Sequence, residues 1–298
     1  MGFMGSTKKY DVLVIGCGLM GSALARTLAG RGYSVAAWNR SPERARALAD
    51  SGVSPVVSLD EAVPASKVSI TCTNNYESAR SALQAVTDWG ATTWVNLGSG
   101  SADEAEEMAC WADERGAAYL DGFIVCYPDA IGSPSSMIGV SGPAALWEKH
   151  RDVFMSLGGA SQHVSDDVRG AGALEASMVG TFFIPALSAY VEAATYAIAQ
   201  GLSPQALAST AAQVIGLLEA VTPETATAIA CDSHETDQAT LKTFTEGARA
   251  ALATMRAAGH RGRLIAAALE NLDLAEQAGL SGLAFSAQCK VLTGPVTQ

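Results

Sequence analysis

Short apolar runs alternate with amphipathic stretches along the chain up to about residue 164. Tyr10 to Ile15, Ser34 to Trp38, Lys67 to Cys72 and Thr92 to Leu97 are rich in β-branched and aromatic residues and end at turn-forming ones, which predicts strands. The intervening stretches carry helix punctuation: Ser41-Pro42-Glu43 reads as an N-cap with Pro at the first helical position, and Gly52 stops that helix. Strand and helix in alternation predict a parallel, doubly wound sheet, because parallel neighbours need a crossover and the helix supplies it. Three further runs, Ala118 to Leu120, Met137 to Val140 and Ser161 to Val164, extend that sheet.

Beyond Val164 the pattern turns wholly helical. The first predicted helix runs from about Gly170 to Gln200 and stops at Gly201; Ser203-Pro204 opens the next and Thr222-Pro223-Glu224 another. Pro185, inside the first helix, lacks an N–H and predicts a kink there. So long and apolar a helix exceeds what a domain of this size can cover. It is sandwiched between two domains or packs against a second chain.

Composition narrows the class. The 298 residues suffice for two domains, and 49% hydrophobic content fits a soluble globular protein rather than a disordered one. A net charge of −11 without a basic cluster excludes nucleic acid and anionic membranes as partners, since both are bound through clustered Lys and Arg. Cys17, Cys72, Cys110, Cys126, Cys231 and Cys289 lack metal-ligand spacing and read as reduced, buried thiols of a cytoplasmic protein, with no metal site. There is no signal-peptide pattern and no uninterrupted apolar stretch long enough to span a bilayer. The start MGFMGS formally fits a myristoylation pattern but reads better as a tail.

Candidate chemistry begins at Gly16-Cys17-Gly18-Leu19-Met20-Gly21, a GxGxxG directly after a strand and at the mouth of a helix. Gly16 permits the turn, Gly18 admits a pyrophosphate close to the backbone, and Gly21 lets helix and strand approach. The helix N-terminus, with Leu19 and Met20, faces the negative charge. The second strand ends in Asn39-Arg40-Ser41, where an NAD site usually has an acid for the ribose 2′-hydroxyl. Arg40, Ser41 and Arg44 suit a 2′-phosphate instead, so the cofactor expected is NADP(H). The alternative is that both arginines are solvated and Ser41 merely caps a helix. Asn96-Leu97-Gly98-Ser99-Gly100-Ser101 lies at the carboxyl edge of the sheet, where Asn96, Gly98 and Ser99 are candidates to contact nicotinamide or substrate, or the run caps the next helix. The fold class expected is therefore α/β: an N-terminal Rossmann doubly wound parallel sheet over 8–164, a long interdomain helix, and an all-α C-terminal domain within 165–298 for dimerisation and substrate.

The stretches GCGLMGSALA, WNRSPERA, NLGSGS, DGFIVCYPDAIG (121–132) and VSG (140–142) together resemble the imine reductases and reductive aminases, relatives of the β-hydroxyacid dehydrogenases, over nearly the whole chain. The resemblance implies NADPH-dependent hydride transfer to the C=N bond of a cyclic imine or iminium. It also implies a homodimer with interlocked helical domains, each cleft built from both subunits. Matching Gly170-Ala171-Gly172 to the family's entry into the long helix puts Ala176 where imine reductases have an acid or tyrosine and hydroxyacid dehydrogenases a lysine. No lysine lies between Lys149 and Lys242, which disfavours the hydroxyacid chemistry. An iminium is already cationic and tolerates a missing proton donor.

Three residues are candidates for that donor. Glu175 points about 100° away from Ala176 around an α-helix. Tyr127 sits in a loop after a strand, and His234 occupies roughly the place of an aromatic residue supplied by the partner chain. Each also reads plainly: a solvated carboxylate, a packed ring, a polar residue flanking a helix. Met178, Thr181, Phe182 and Tyr190 are the candidate pocket wall. The other readings kept open are a divergent β-hydroxyacid dehydrogenase and a protein that binds NADP(H) without chemistry.

Overall fold

The computed structural model describes residues 9–293, so the MGFMGS start lies outside the described residues. The chain divides into two compact units, Met1–Phe182 and Phe183–Gln298.

The first unit is built on one eight-stranded sheet in the order β3-β2-β1-β4-β5-β6-β7-β8. In chain order it comprises β1 (Tyr10–Ile15), α1 (Leu19–Gly30), β2 (Val35–Trp38), α2 (Pro42–Arg46), β3 (Val53–Pro55), α3 (Leu59–Ala62) and β4 (Ser66–Thr71). It continues through α4 (Tyr76–Leu83), β5 (Thr93–Asn96), α5 (Ala102–Asp113), β6 (Ala118–Val125), β7 (Met137–Ser141), α6 (Ala144–Leu157), β8 (Gln162–Ser165) and α7 (Arg169–Leu174). Alternation along β1 shows why both faces are covered. Val12 and Val14 pack with Leu24, Leu28 and Phe154 on one side, Leu13 and Ile15 with Leu83, Trp94 and Trp111 on the other. All β-ladders are parallel except one.

That exception corrects the sequence reading. β6 and β7 pair antiparallel, with Gly122 opposite Val140. Between them lies only a 3-10 turn at Pro128–Ala130, and without a crossover helix a returning strand must run antiparallel. The short strand β3, not expected from the sequence, adds an edge whose last residue is Pro55, as suits a position needing no further ladder bond.

From Arg169 the chain runs helically to Ala199, but not uniformly. α7 is followed by a π-helical segment, Glu175–Phe183, and then by α8 (Ile184–Ala199). The wider winding shows in Thr181 Oγ1, which donates to the Ala176 carbonyl five residues back at 2.9 Å. Pro185 falls in the first turn of α8, where the winding has just changed.

The second unit holds α8, α9 (Pro204–Ala230), α10 (Leu241–Ala257), α11 (Arg263–Gln277) and a 3-10 segment, Phe285–Val291. A second correction falls here: Thr222-Pro223-Glu224 opens no helix, because Pro223 lies inside α9. Pro223 cannot donate to the Glu219 carbonyl, but the Thr222 hydroxyl donates to it at 3.2 Å. The side chain thus takes over the bond that proline removes, and the helix continues. The unit's own buried cluster is small, centred on Leu241, Leu272, Ala275 and Ala287. Ile184, Leu187, Val191, Ile198, Val214, Ile215 and Leu217 are exposed.

Arg169–Ala199 and Pro204–Ala230 are long and apolar enough, by length and composition, to cross a membrane, though neither is an uninterrupted apolar stretch: Glu175 and Glu192 interrupt the first, Glu219 and Glu224 the second. The expectation of uniformly buried thiols also needs correction. All six are free, but Cys110 and Cys231 are exposed, one on the outer face of α5 and one capping the end of α9.

Candidate functional site

The glycine loop between β1 and α1 is dictated by lack of space on one side and open approach on the other. Gly16 has φ of +106°, and a Cβ there would lie 2.4 Å from the Cys72 carbonyl oxygen. A Cβ on Gly21 would lie 1.8 Å from the Gly16 carbonyl oxygen, whereas one on Gly18 would meet nothing within 4 Å. Gly16 and Gly21 therefore close the turn onto the sheet. Gly18 leaves the backbone bare toward solvent, with the N-terminus of α1 and the exposed Leu19 beside it and Met20 half-buried. This is a cradle an added side chain would obstruct, and it fits a pyrophosphate.

At the end of β2 the Asn39 side chain is already engaged. Its Oδ1 accepts the Cys17 N–H at 2.9 Å and its Nδ2 donates to the Ser41 carbonyl at 3.1 Å. Asn39 thereby ties the glycine loop to the β2 end. Ser41 stands at the N-cap of α2, yet its hydroxyl makes no capping bond. Arg40 and Arg44 are exposed and form no ion pair among the described residues. The group has two uncommitted cations and an uncommitted hydroxyl, the donor set a phosphate monoester needs. Burial pushes the Cys17 and Cys72 thiols up to about 11 and about 12, so both are neutral packing groups beneath the loop.

The loop after β5 has a buried side and an exposed side. Asn96 is buried: Oδ1 accepts from Thr71 Oγ1 at 2.9 Å, and Nδ2 donates to Asp121 Oδ1 at 3.3 Å. Its side chain is committed to the interior, as are the Leu97 N–H, which donates to the Thr71 carbonyl at 2.8 Å, and the Gly98 N–H, 3.4 Å from Asn96 Oδ1, so that Ser99 is the exposed residue of the turn. Gly98 is itself buried, with the Thr73 carbonyl 3.1 Å from where a Cβ would sit. Ser101 forms a capping box with Glu104 at the start of α5. Exposed Ser99 does something else: its hydroxyl donates to Glu175 Oε1 at 2.6 Å.

Glu175 reaches that point because α7 lies hard against the start of α5. A Cβ on Gly172 would be 2.9 Å from the Ala102 nitrogen, and Arg169 pairs with Asp103 at 2.9 Å and Glu106 at 3.7 Å. Glu175 follows three residues after Gly172, one turn on, and opens the π-helical segment. The carboxylate next to Ala176 is thus the one that meets the loop.

Below the loop lies a group that sequence reasoning missed. Asp121, on β6 and 1% exposed, accepts from Tyr76 Oη at 2.8 Å on both oxygens and from Tyr119 Oη at 2.8 Å on Oδ1. Burial pushes its carboxyl up to about 7; the bonds from Tyr119, Tyr76 and Asn96 oppose this, and the nearby Glu175 charge adds to it. Burial, with the carboxylate alongside, holds the Tyr76 and Tyr119 hydroxyls well above the usual range, so both stay donors. An aspartate inside the apolar run YLDGFIV was the available signal, since a charge seldom enters a strand core without partners.

The remaining candidates are dispersed. Met178 and Phe182 project half-exposed from the π-helical segment, with Thr181 exposed beside them; Tyr190 is on α8 in the second unit, also partly exposed. Tyr127 precedes the Pro128–Ala130 turn, is 65% exposed, and its hydroxyl makes no hydrogen bond among the described residues. His234 is buried within the second unit: Nδ1 lies 2.9 Å from Ser286 Oγ, and Nε2 lies 3.3 Å from Asp232 Oδ1 and 3.7 Å from Cys289 Sγ. No cluster of His, Cys, Asp and Glu suited to a metal ion occurs among the described residues.

Comparison with known proteins gives concordant results. Residues 11–166 match the NAD binding domain of 6-phosphogluconate dehydrogenase, and residues 167–294 match the NADPH-dependent reductive aminase-like C-terminal domain. An NADPH-dependent reductive aminase of Aspergillus oryzae is 31% identical over 174 residues, covering 57% of this chain; the match spans only 59% of that relative's length. Among solved structures, an imine reductase from Pseudomonas sp. superposes with a TM-score of 0.89 at 29% identity, covering 96% of this chain and 100% of the other. An imine reductase from Myxococcus stipitatus in complex with NADP+ gives 0.85 at 28% identity, covering 95% and 100%.

Proposed function

Because the chain belongs to the family of the 6-phosphogluconate dehydrogenase NAD binding domain, and within it to the imine reductases and reductive aminases, we propose that it is an NADPH-dependent imine reductase. Its substrate is a cyclic imine or iminium. When bound, the cofactor supplies the hydride. The protein's part is to hold, orient and protonate. Gly16, Gly18, Gly21 and the α1 N-terminus take the pyrophosphate; Arg40, Ser41 and Arg44 take the 2′-phosphate; the loop from Asn96 to Ser99 takes the nicotinamide end.

The Ser99–Glu175 bond of 2.6 Å carries the reading. It places a carboxyl at the carboxyl edge of the sheet, where ligands of such folds bind. For an imine, Glu175 takes up a proton from solvent and passes it to the nitrogen as the carbon is reduced; for an iminium, the carboxylate stays charged and stabilises the cation. Among the three donor candidates, Glu175 is the one supported by a contact to the loop. Met178 and Phe182, half-exposed on the π-helical segment, serve as the apolar wall.

The exposed apolar residues of α8 and α9, and an apolar groove of about 400 Å³ between α10 and α11 lined by Phe244, Ala251, Ile265 and Phe285, support a homodimer joined through the helical units. Burial between two chains accounts for these helices without a bilayer. Six free cysteines accord with a reducing, cytoplasmic setting.

The test follows NADPH absorbance with a panel of cyclic imines and, separately, NADP+ reduction with 3-hydroxy acids. Imine turnover with Glu175→Gln slowed about tenfold to a thousandfold, at unchanged NADPH affinity, supports the reading. Turnover of hydroxy acids alone, or cofactor binding with no turnover, overturns it. Sedimentation equilibrium tests the dimer, and a monomer at micromolar concentration would remove that part.

A further inference from the structure

Among the described residues Asp121 is the only buried carboxylate. Burying one is costly, and a leucine would suit a strand core better unless the polar partners are needed where they are. Its partners lead upward to the loop. Asn96, which donates to Asp121, also accepts the Gly98 N–H at 3.4 Å. Tyr76, which donates to both carboxylate oxygens, lays its ring under Gly100, where a Cβ would approach it to 2.2 Å. The turn carrying Ser99 is therefore gripped on both sides by residues whose polar ends meet on one carboxyl group.

We propose that Asp121 is a positioning residue for Glu175: through Asn96 and Tyr76 it fixes the Gly98–Gly100 turn, and the turn holds the Ser99 hydroxyl against the Glu175 carboxylate. The inference rests on Glu175 being the proton donor. Of the ionisable groups on elements packed against β6, Arg169 on α7 is paired with Asp103 and Glu106, and buried His150 on α6 meets Thr93 Oγ1 at 2.8 Å. Tyr119 lies on β6 itself, Tyr76 on α4, and Glu175 on the π-helical segment; on α5, Glu104 is occupied by the Ser101 N–H. Ser141, opposite on β7, has a buried hydroxyl without a hydrogen-bond partner and carries no charge. The Asp121 carboxyl, at about 7, is neutral in mildly acidic solution and charged above, and Glu175 is among the groups that set this.

The experiment has one arm with turnover and one without. In Asp121→Asn, kcat for an imine falls about tenfold while KM for NADPH stays within about twofold, and any step in the wild-type pH profile near neutrality disappears. Tyr76→Phe, which keeps the ring beneath Gly100, lowers kcat in the same way. Wild-type kcat and pH profile in both variants overturn the proposal. Without turnover, the infrared C=O band of the protonated Asp121 carboxyl is titrated in the wild type, with Asp121→Asn assigning it. Its midpoint moves down in Glu175→Gln, which removes a neighbouring charge, and up in Tyr76→Phe, which removes a donor. A midpoint indifferent to Glu175→Gln overturns the proposal even if the wild type reduces no imine; a shifted midpoint with no imine turnover sinks only the reading of the reaction.

Discussion

Replacing Asp121 by Asn should change how stability depends on pH, and the size follows from the site. The Asp121 carboxyl stands at about 7 in the folded chain against an ordinary 3.8, with burial the largest cause. Between these two values the folded state holds one proton more than the unfolded state. Stability attributable to this group is therefore complete below about pH 4, falls as pH rises, and is gone above about pH 7. At about 1.4 kcal/mol per tenfold, the interval corresponds to about 4 kcal/mol. Asn has nearly the same shape, keeps an acceptor for Tyr119 and Asn96, and does not titrate. Relative to the variant, the wild type should thus lose about 4 kcal/mol between about pH 4 and pH 8. The assay is urea unfolding followed by tryptophan fluorescence, which reads the first unit alone because Trp38, Trp89, Trp94, Trp111 and Trp147 all lie within it. Parallel stability–pH curves for the two proteins would refute the reasoning, because a carboxyl that ionises as freely folded as unfolded cannot separate them.

Three further outcomes are expected. Arg40→Glu should cut the NADPH-over-NADH preference at least tenfold, since it puts a repelling charge beside a 2′-phosphate; an unchanged ratio in steady-state kinetics would remove Arg40 from that site. Gly21→Ala should destabilise the first unit by about 3 kcal/mol or more and abolish NADPH fluorescence enhancement, because the new Cβ falls 1.8 Å from a backbone carbonyl that cannot yield. A wild-type melting curve would show that α1 shifts freely. Pro223→Ala should raise the stability of α9 by about 1–3 kcal/mol, restoring the bond to Glu219 that Thr222 now replaces; a fall in the far-UV circular dichroism midpoint would contradict that account.

The sequence alone determined the parts whose causes are local. Alternating periodicity announced the doubly wound sheet, and Gly16 and Gly21 announced a turn with no room for a side chain. The long apolar run predicted a helix whose extent the structure closely reproduces, Arg169–Ala199. Each depends on residues a few positions apart, so composition and spacing record it. Tertiary structure decided what spacing cannot record. Tyr76 meets Asp121 across 45 residues and Ser99 meets Glu175 across 76. Whether Glu175 or Ala176 faces the loop depends on how α7 docks against α5 and on the π-helical winding that follows. A one-residue change of facing moves a side chain about 100° around an α-helix. The identity of the residue at a familiar position is therefore a poor guide to which side chain meets the loop. The reversal of β7 and the passage of α9 through Pro223 belong to the same category: local signals permitted several outcomes, and packing and a side-chain hydrogen bond chose among them.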